Sequence, residues 1–140
     1  MKVAFFLTPK AEVAWVASRS TIRQAIERME HHRYTAVPIL SAEGRYEGTL
    51  TEGDLLWFMK QHPEVSFTDT EKMPLEMVQR RREVKPIDID AEIEELLTLS
   101  LDQNFVPVLD GRGIFIGIVR RRSILAYFQD RMMAAVTGEG

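Results

Sequence analysis

Thr51 and Asp54 stand three residues apart, immediately ahead of an apolar helical stretch. A carboxylate there can accept two hydroxyl hydrogens at once, and the free N–H groups of a helix start suit a phosphate. The same Thr-x-x-Asp spacing is equally a helix cap followed by an acid at the third helical position, serving only the helix's own first N–H groups. A second set lies 69 residues on, where Arg120, Arg121 and Arg122 precede Ser123. Cations at a helix start oppose the macrodipole, at about 0.3–1 kcal/mol each when exposed. A bound anion relieves that opposition, and guanidinium groups grip phosphate bidentately. The alternative is that these arginines face solvent or pair with acids such as Glu12 and Glu43.

The two sets occupy matching places because the chain contains a repeat. Pro38 to Met59 aligns without a gap on Pro107 to Phe128 at the same offset of 69, with Gly44 on Gly113, Gly48 on Gly117 and Leu56 on Leu125. A repeat of this length means two copies of one supersecondary unit. In the first copy, Val13–Val16 reads as a short strand, and Ser20 is a fair helix cap. Ile22, Ala25, Ile26 and Met29 then fall on one helical face. Ala36–Leu40 and Tyr46–Leu50 flank a turn as a hairpin, and Thr51 opens another helix. The second copy runs Val84–Ile89, a helix capped by Asp90, Phe105–Leu109, Ile114–Val119 and a helix from Ser123 to about Met132. It reads as two residues shorter between Asn104 and Pro107. Lys60–Pro74 is the connector, Glu76–Glu83 is a further candidate helix, and Thr137 onward is expected to fray. The predicted class is α+β, with repeats at 1–70 and 71–140 of order β-α-β-β-α packed about a pseudo-twofold axis. One copy alone has too little apolar surface to be stable.

Composition narrows the function. With 45% hydrophobic and 28% charged residues in a chain of 140, a sizeable core can be buried. The net charge of −3 gives no push toward nucleic acid or an anionic membrane. The absence of cysteine excludes disulfides and thiolate chemistry. No stretch approaches the roughly 20 apolar residues of a membrane span, and Val3–Leu7 is too short for a signal-peptide core, so a cytoplasmic location is expected.

The ordered motifs Tyr34-Thr35-Ala36-Val37-Pro38-Ile39-Leu40, a turn, and Gly48-Thr49-Leu50-Thr51-Glu52-Gly53-Asp54-Leu55 resemble a cystathionine-β-synthase (CBS) domain. Two in tandem resemble a CBS pair, or Bateman module, over about residues 8 to 132. The resemblance implies a non-catalytic regulator that needs no cofactor and binds an adenine nucleotide in two clefts between the repeats. It also implies a homodimer and signalling to an unidentified protein partner. Cyclic di-AMP is the first candidate, as in some stand-alone bacterial pairs, followed by AMP, ADP and ATP. By the family's pattern, one cleft would combine Thr51 (phosphate) and Asp54 (ribose) with Val84, Lys85, Pro86, Ile87, Phe105, Val106 and Pro107. The other would combine Arg120, Arg121 and Arg122 with Val13, Ala14, Tyr34, Thr35, Ala36 and Pro38. Here the chain departs from the pattern, since Arg120 stands for Thr51 and Ser123 for Asp54. This cleft should therefore prefer phosphate-rich ligands. The competing reading is an interaction module with vestigial, unliganded clefts.

The remaining motifs read structurally. Arg80–Arg82, flanked by Glu76 and Glu83, suits intrahelical pairs on a solvated face or a dimer contact. His31, His32 and His62 lack metal-site spacing. Gly111-x-Gly113 falls in a hairpin, not between a strand and a helix. Trp57, Phe58 and Met59 suit a core or a dimer interface. No Ser/His/Asp set or carboxylate pair argues for an enzyme.

Overall fold

The computed structural model describes residues 1–138. In chain order its elements are β1 (Leu7–Pro9), β2 (Val16–Ala17), α1 (Ile22–His32), β3 (Ala36–Leu40), β4 (Tyr46–Thr51), α2 (Glu52–Gln61), β5 (Ile87–Asp88), α3 (Ile93–Ser100), β6 (Phe105–Leu109), β7 (Phe115–Arg120) and α4 (Arg121–Thr137). The class is α+β, and the β-α-β-β-α order occurs twice, from β2 to α2 and from β5 to α4. No helix among the described residues is long and apolar enough to cross a membrane.

The chain forms two compact units whose membership differs from a cut at residue 70. The first holds Ala14–Val84 with Gly113–Phe115; the second holds Met1–Val13, Lys85–Arg112 and the chain from Ile116 on.

The first unit carries the sheet β2-β3-β4. β2 pairs parallel with Ile39 and Leu40, and β3 pairs antiparallel with β4. Ile22, Ala25 and Met29 from α1 meet Val37, Leu50 and Phe58 in the core. α1 is capped by Thr21 rather than Ser20, in a reciprocal box with Gln24 (3.2 and 2.9 Å). The expected strand at Val13–Val16 shrinks to Val16–Ala17 because only those residues reach β3. Glu76–Glu83 is not an α-helix. A single 3-10 turn, Leu75–Met77, buries Leu75, and Val78 is pulled into the core beside it.

The second unit carries the sheet β1-β7-β6-β5. β5 is Ile87–Asp88 alone, shorter than the expected Val84–Ile89. Glu92, not Asp90, precedes α3, and Asp90 instead donates its N–H to Asp88 Oδ1 (2.8 Å). α4 begins at Arg121, ahead of the expected Ser123, and runs past Met132 to Thr137, with Gly138 left-handed after it (φ 76°); Glu139 and Gly140, part of the segment expected to fray, lie outside the described residues. β3 and β6 are both five residues long, so no shortening falls between Asn104 and Pro107. The repeats differ instead in their first helices, 11 residues in α1 against 8 in α3.

One structural repeat escapes the sequence alignment. In the second unit Lys2 bridges Glu92, and the 3-10 turn Val3–Phe6 buries Val3 and Phe6. In the first unit Pro74 bridges Thr21, and the turn after it buries Leu75 and Val78. Each segment seals the mouth of a helix. They then diverge: the N-terminal one continues as β1 and ladders onto β7, whereas Gln79–Arg81 forms no strand.

Candidate functional site

In the first unit, Thr51 and Asp54 sit at the β4–α2 turn. The first N–H of α2, from Glu52, donates to Thr35 O (2.9 Å), fixing the turn on the start of β3. Thr51 Oγ1 accepts from Asp54 N (3.1 Å) and Asp54 Oδ2 accepts from Thr51 N (3.0 Å). The other carboxylate oxygen, Oδ1, accepts from Arg81 N (3.0 Å). Asp54 is 3% exposed. The capping geometry is thus fully formed, and Arg81 is a partner that the local motif does not reveal. Ala14 is buried, Tyr34 and Ala36 are half-buried, Thr35 is exposed and Pro38 is buried in β3.

The stretch Arg80–Val84 runs beside β4 on side-chain ties. A bulge in β4 leaves Glu47 unpaired, since Ile39 faces Gly48 and Leu40 faces Tyr46. The Glu47 carbonyl accepts from Arg80 Nη2 (3.0 Å), and the guanidinium fills the space where Gly48 has no side chain. Further on, Tyr46 OH donates to Val84 O (2.7 Å), so the Thr49 hydroxyl donates to Tyr46 (2.7 Å). Arg80 also lines a cavity of about 480 Å³ with Ser18, Arg19, Ile39, Glu47 and Glu76. The triplet is exposed, as expected, but it lies on no helix: Arg80 and the Arg81 amide tie the segment down, and the Arg81 side chain lies over Trp57 (5.7 Å to the ring centroid).

Burial pushes the Tyr46 phenol up to about 12, against the smaller opposing effects of the Thr49 hydrogen bond and the Arg80 charge. A group whose pKa is raised by folding contributes stability that is complete below its unfolded value near 10 and is lost as pH rises through about 12. The expected loss across that window is about 2–3 kcal/mol. Urea midpoints measured from pH 9 to 12 should fall for the parent protein and fall distinctly less for Tyr46→Phe.

In the second unit the matching turn is built differently. Arg121 N donates to Asn104 O (2.9 Å), the counterpart of the Glu52–Thr35 bond. Arg120 takes the cap position without a side-chain cap bond. Arg121 folds back, its Nε donating to Ser100 O (2.7 Å) and its Nη2 to Leu101 O (3.4 Å). It thereby closes the free carbonyls at the end of α3, a recognised role for a cation at a helix C-terminus. Arg120 is half-buried and Arg122 exposed. Removing the Arg121 guanidinium with Arg121→Ala should cost about 1–2 kcal/mol of stability in urea unfolding.

Gln103 was not foreseen as important. Its buried amide accepts from Lys85 N (2.8 Å) and donates to Lys85 O (3.0 Å) and Phe105 O (3.2 Å). It thus ties Lys85 to the start of β6 as a ladder rung would. Lys85 and Pro86 are exposed, Phe105 is half-buried, and Ile87, Val106 and Pro107 are buried. Val13 is buried within this unit, and Val84 is half-buried in the first.

Among the described residues, no three His, Cys, Asp or Glu side chains gather to hold a metal ion. His62 caps α2, its Nδ1 2.9 Å from Phe58 O. Phe58 is core, Met59 packs against it, and Trp57 is exposed. On α4, Leu125, Phe128, Met132 and Val136 form an exposed apolar stripe.

The CBS-domain family profile matches residues 7–61 and 77–130. A search among functionally curated proteins finds no match. Among solved structures, CbpB in complex with c-di-AMP is similar at 21% identity and TM-score 0.85, covering 100% of this chain and 91% of that one. CbpB of Listeria monocytogenes, also in complex with c-di-AMP, is 22% identical with TM-score 0.80, covering 94% and 97%. A CBS domain protein from Streptococcus pneumoniae TIGR4 is 26% identical with TM-score 0.81, covering 92% and 87%.

Proposed function

The chain belongs to the CBS-domain family, with two copies of the domain, and from that premise we propose that it is a non-catalytic sensor of an adenine nucleotide. Cyclic di-AMP is the first candidate, then AMP, ADP and ATP. The observation that carries this is the fold shared over the whole chain with a protein solved in complex with c-di-AMP. Within the first unit, Thr51 and Asp54 are the groups for phosphate and ribose. Within the second, Lys85, Phe105 and Arg120 are the groups free to meet phosphate or stack on a base. The bound state would be passed to a protein partner in the cytoplasm. A homodimer formed through the α4 stripe completes the reading. Phe128→Glu should then convert a dimer to a monomer in light scattering.

A second reading, a docking module with vestigial nucleotide sites, draws support from Asp54 and Arg121 being engaged by their own fold. Thermal unfolding against cyclic di-AMP, cyclic di-GMP, AMP, ADP, ATP and S-adenosylmethionine separates the two. A ligand at about 100 times its Kd adds roughly 2.7 kcal/mol. Stabilisation by one adenine ligand, reduced in Arg120→Ala, is the expected result. A flat panel abandons the sensor and favours the docking module.

A further inference from the structure

We propose that Gln79–Val84 is a displaceable strap latched by Asp54, and that ligand hydroxyls claiming this carboxylate release it. The proposal rests on the nucleotide reading above and adds how binding at Asp54 would be transmitted. Three observations in the first unit support it.

First, Asp54 has almost no free surface. Its Oδ2 is held by Thr51 N within the same helix cap, and its Oδ1 by Arg81 N from a segment 27 residues on. A ribose hydroxyl donating to this carboxylate must move something. The helix cap belongs to α2 itself, whereas Arg81 belongs to no helix or strand. The exchange is chemically even: one charge-assisted N–H···O⁻ bond is given up, and hydroxyl donors take the same oxygen.

Second, the strap is held by scattered ties. They include Arg80 Nη2 on Glu47 O, Arg81 N on Asp54 Oδ1, Tyr46 OH on Val84 O and the Arg81 guanidinium over Trp57. None is a strand ladder. In the second unit the corresponding segment makes a true ladder, with Leu7, Thr8 and Pro9 paired to Val119, Ile118 and Gly117. Separate ties of this kind can give way singly, whereas neighbouring rungs of a continuous ladder hold one another in register.

Third, release has a surface consequence. Arg80 and Glu76 form part of the wall of the 480 Å³ cavity, so a moving strap reshapes a polar concavity that a partner can read. The coupling is reciprocal: whatever loosens the strap must tighten the ligand by the same factor.

The test is amide exchange on the full-length protein, alone and with saturating cyclic di-AMP and, separately, AMP, with binding followed calorimetrically on the same samples. The Arg81 amide is expected to be slow without nucleotide and to exchange about tenfold faster with it, while α1 amides stay unchanged. Tyr46→Phe, which removes a tie away from Asp54, is expected to bind nucleotide about threefold more tightly. A purely structural role for Tyr46 would leave affinity unchanged or lower it. Nucleotide binding with Arg81 equally or more protected overturns the latch and leaves the sensor standing. No heat and no exchange change with either nucleotide, nor with ADP and ATP, overturns both.

Discussion

Gly117→Ala is expected to lower the thermal midpoint by about 10 °C, corresponding to about 3 kcal/mol, through the second unit alone. A Cβ on Gly117 would lie 2.2 Å from the Thr8 carbonyl oxygen and 3.1 Å from Pro9 Cα, both backbone atoms of β1. Its φ of 156° is one that side chains rarely adopt. Neither atom can yield without pulling β1 off β7, and with it Phe6 and Val3 from the core. The matching change in the first unit shares the strain of a positive φ (141° at Gly48) but lacks the backbone clash, so it is predicted to be milder. A Cβ on Gly48 meets the Arg80 guanidinium at 2.7 Å, the far end of a flexible side chain that can swing out. Gly48→Ala should therefore lose about 2 kcal/mol, from the strain of its own φ together with the Glu47 tie. Differential scanning calorimetry on both variants checks the contrast. Equal losses would mean that β1 is not held as tightly as its ladder implies.

Asp54→Ala is the second large effect, expected at about 2–3 kcal/mol in urea unfolding. The substitution leaves the Thr51 and Arg81 N–H groups without their acceptor in a place almost closed to water. Asp54→Asn keeps one acceptor oxygen and should recover about half of the loss. This bears directly on function. Loss of nucleotide binding in Asp54→Ala mixes a missing contact with a loosened turn, so Asp54→Asn, folded and lacking the charge, is the informative variant. A stability change under about 0.5 kcal/mol in Asp54→Ala would show that the cap and the Arg81 latch contribute little.

The repeat was legible because its strands and turns lie in one gapless alignment, and Pro38–Pro107 and Gly48–Gly117 mark equal positions in β3/β6 and β4/β7. What stayed hidden is set by partners distant in sequence. The residues Lys2-Val3 and Pro74-Leu75 share little composition, yet each seals a helix mouth, and nothing local announces it. Gln103 looks like a surface amide until Lys85 is brought beside it. Arg121 reads as a phosphate-seeking cation because the sequence shows its charge but not the Ser100 and Leu101 carbonyls within its reach. The Thr51–Asp54 spacing alone reads equally as a cap and as a nucleotide site. The cap is formed, and the nucleotide role is what the panel tests.

The ladder between β1 and β7 joins residues far apart in sequence, Leu7 to Val119. A polypeptide emerging from the ribosome must hold Val3 and Phe6 away from their core partners until Ile87, Leu96 and Val106 have been made, and the β1 ladder must wait longer still, for Val119; closing so long a loop is a slow event. A chain cut short before β7 leaves the backbone of Leu7–Pro9 without its ladder, an unpaired edge of the kind on which chaperones and proteases act. Docking of the first nine residues thus marks a chain that has been synthesised through β7.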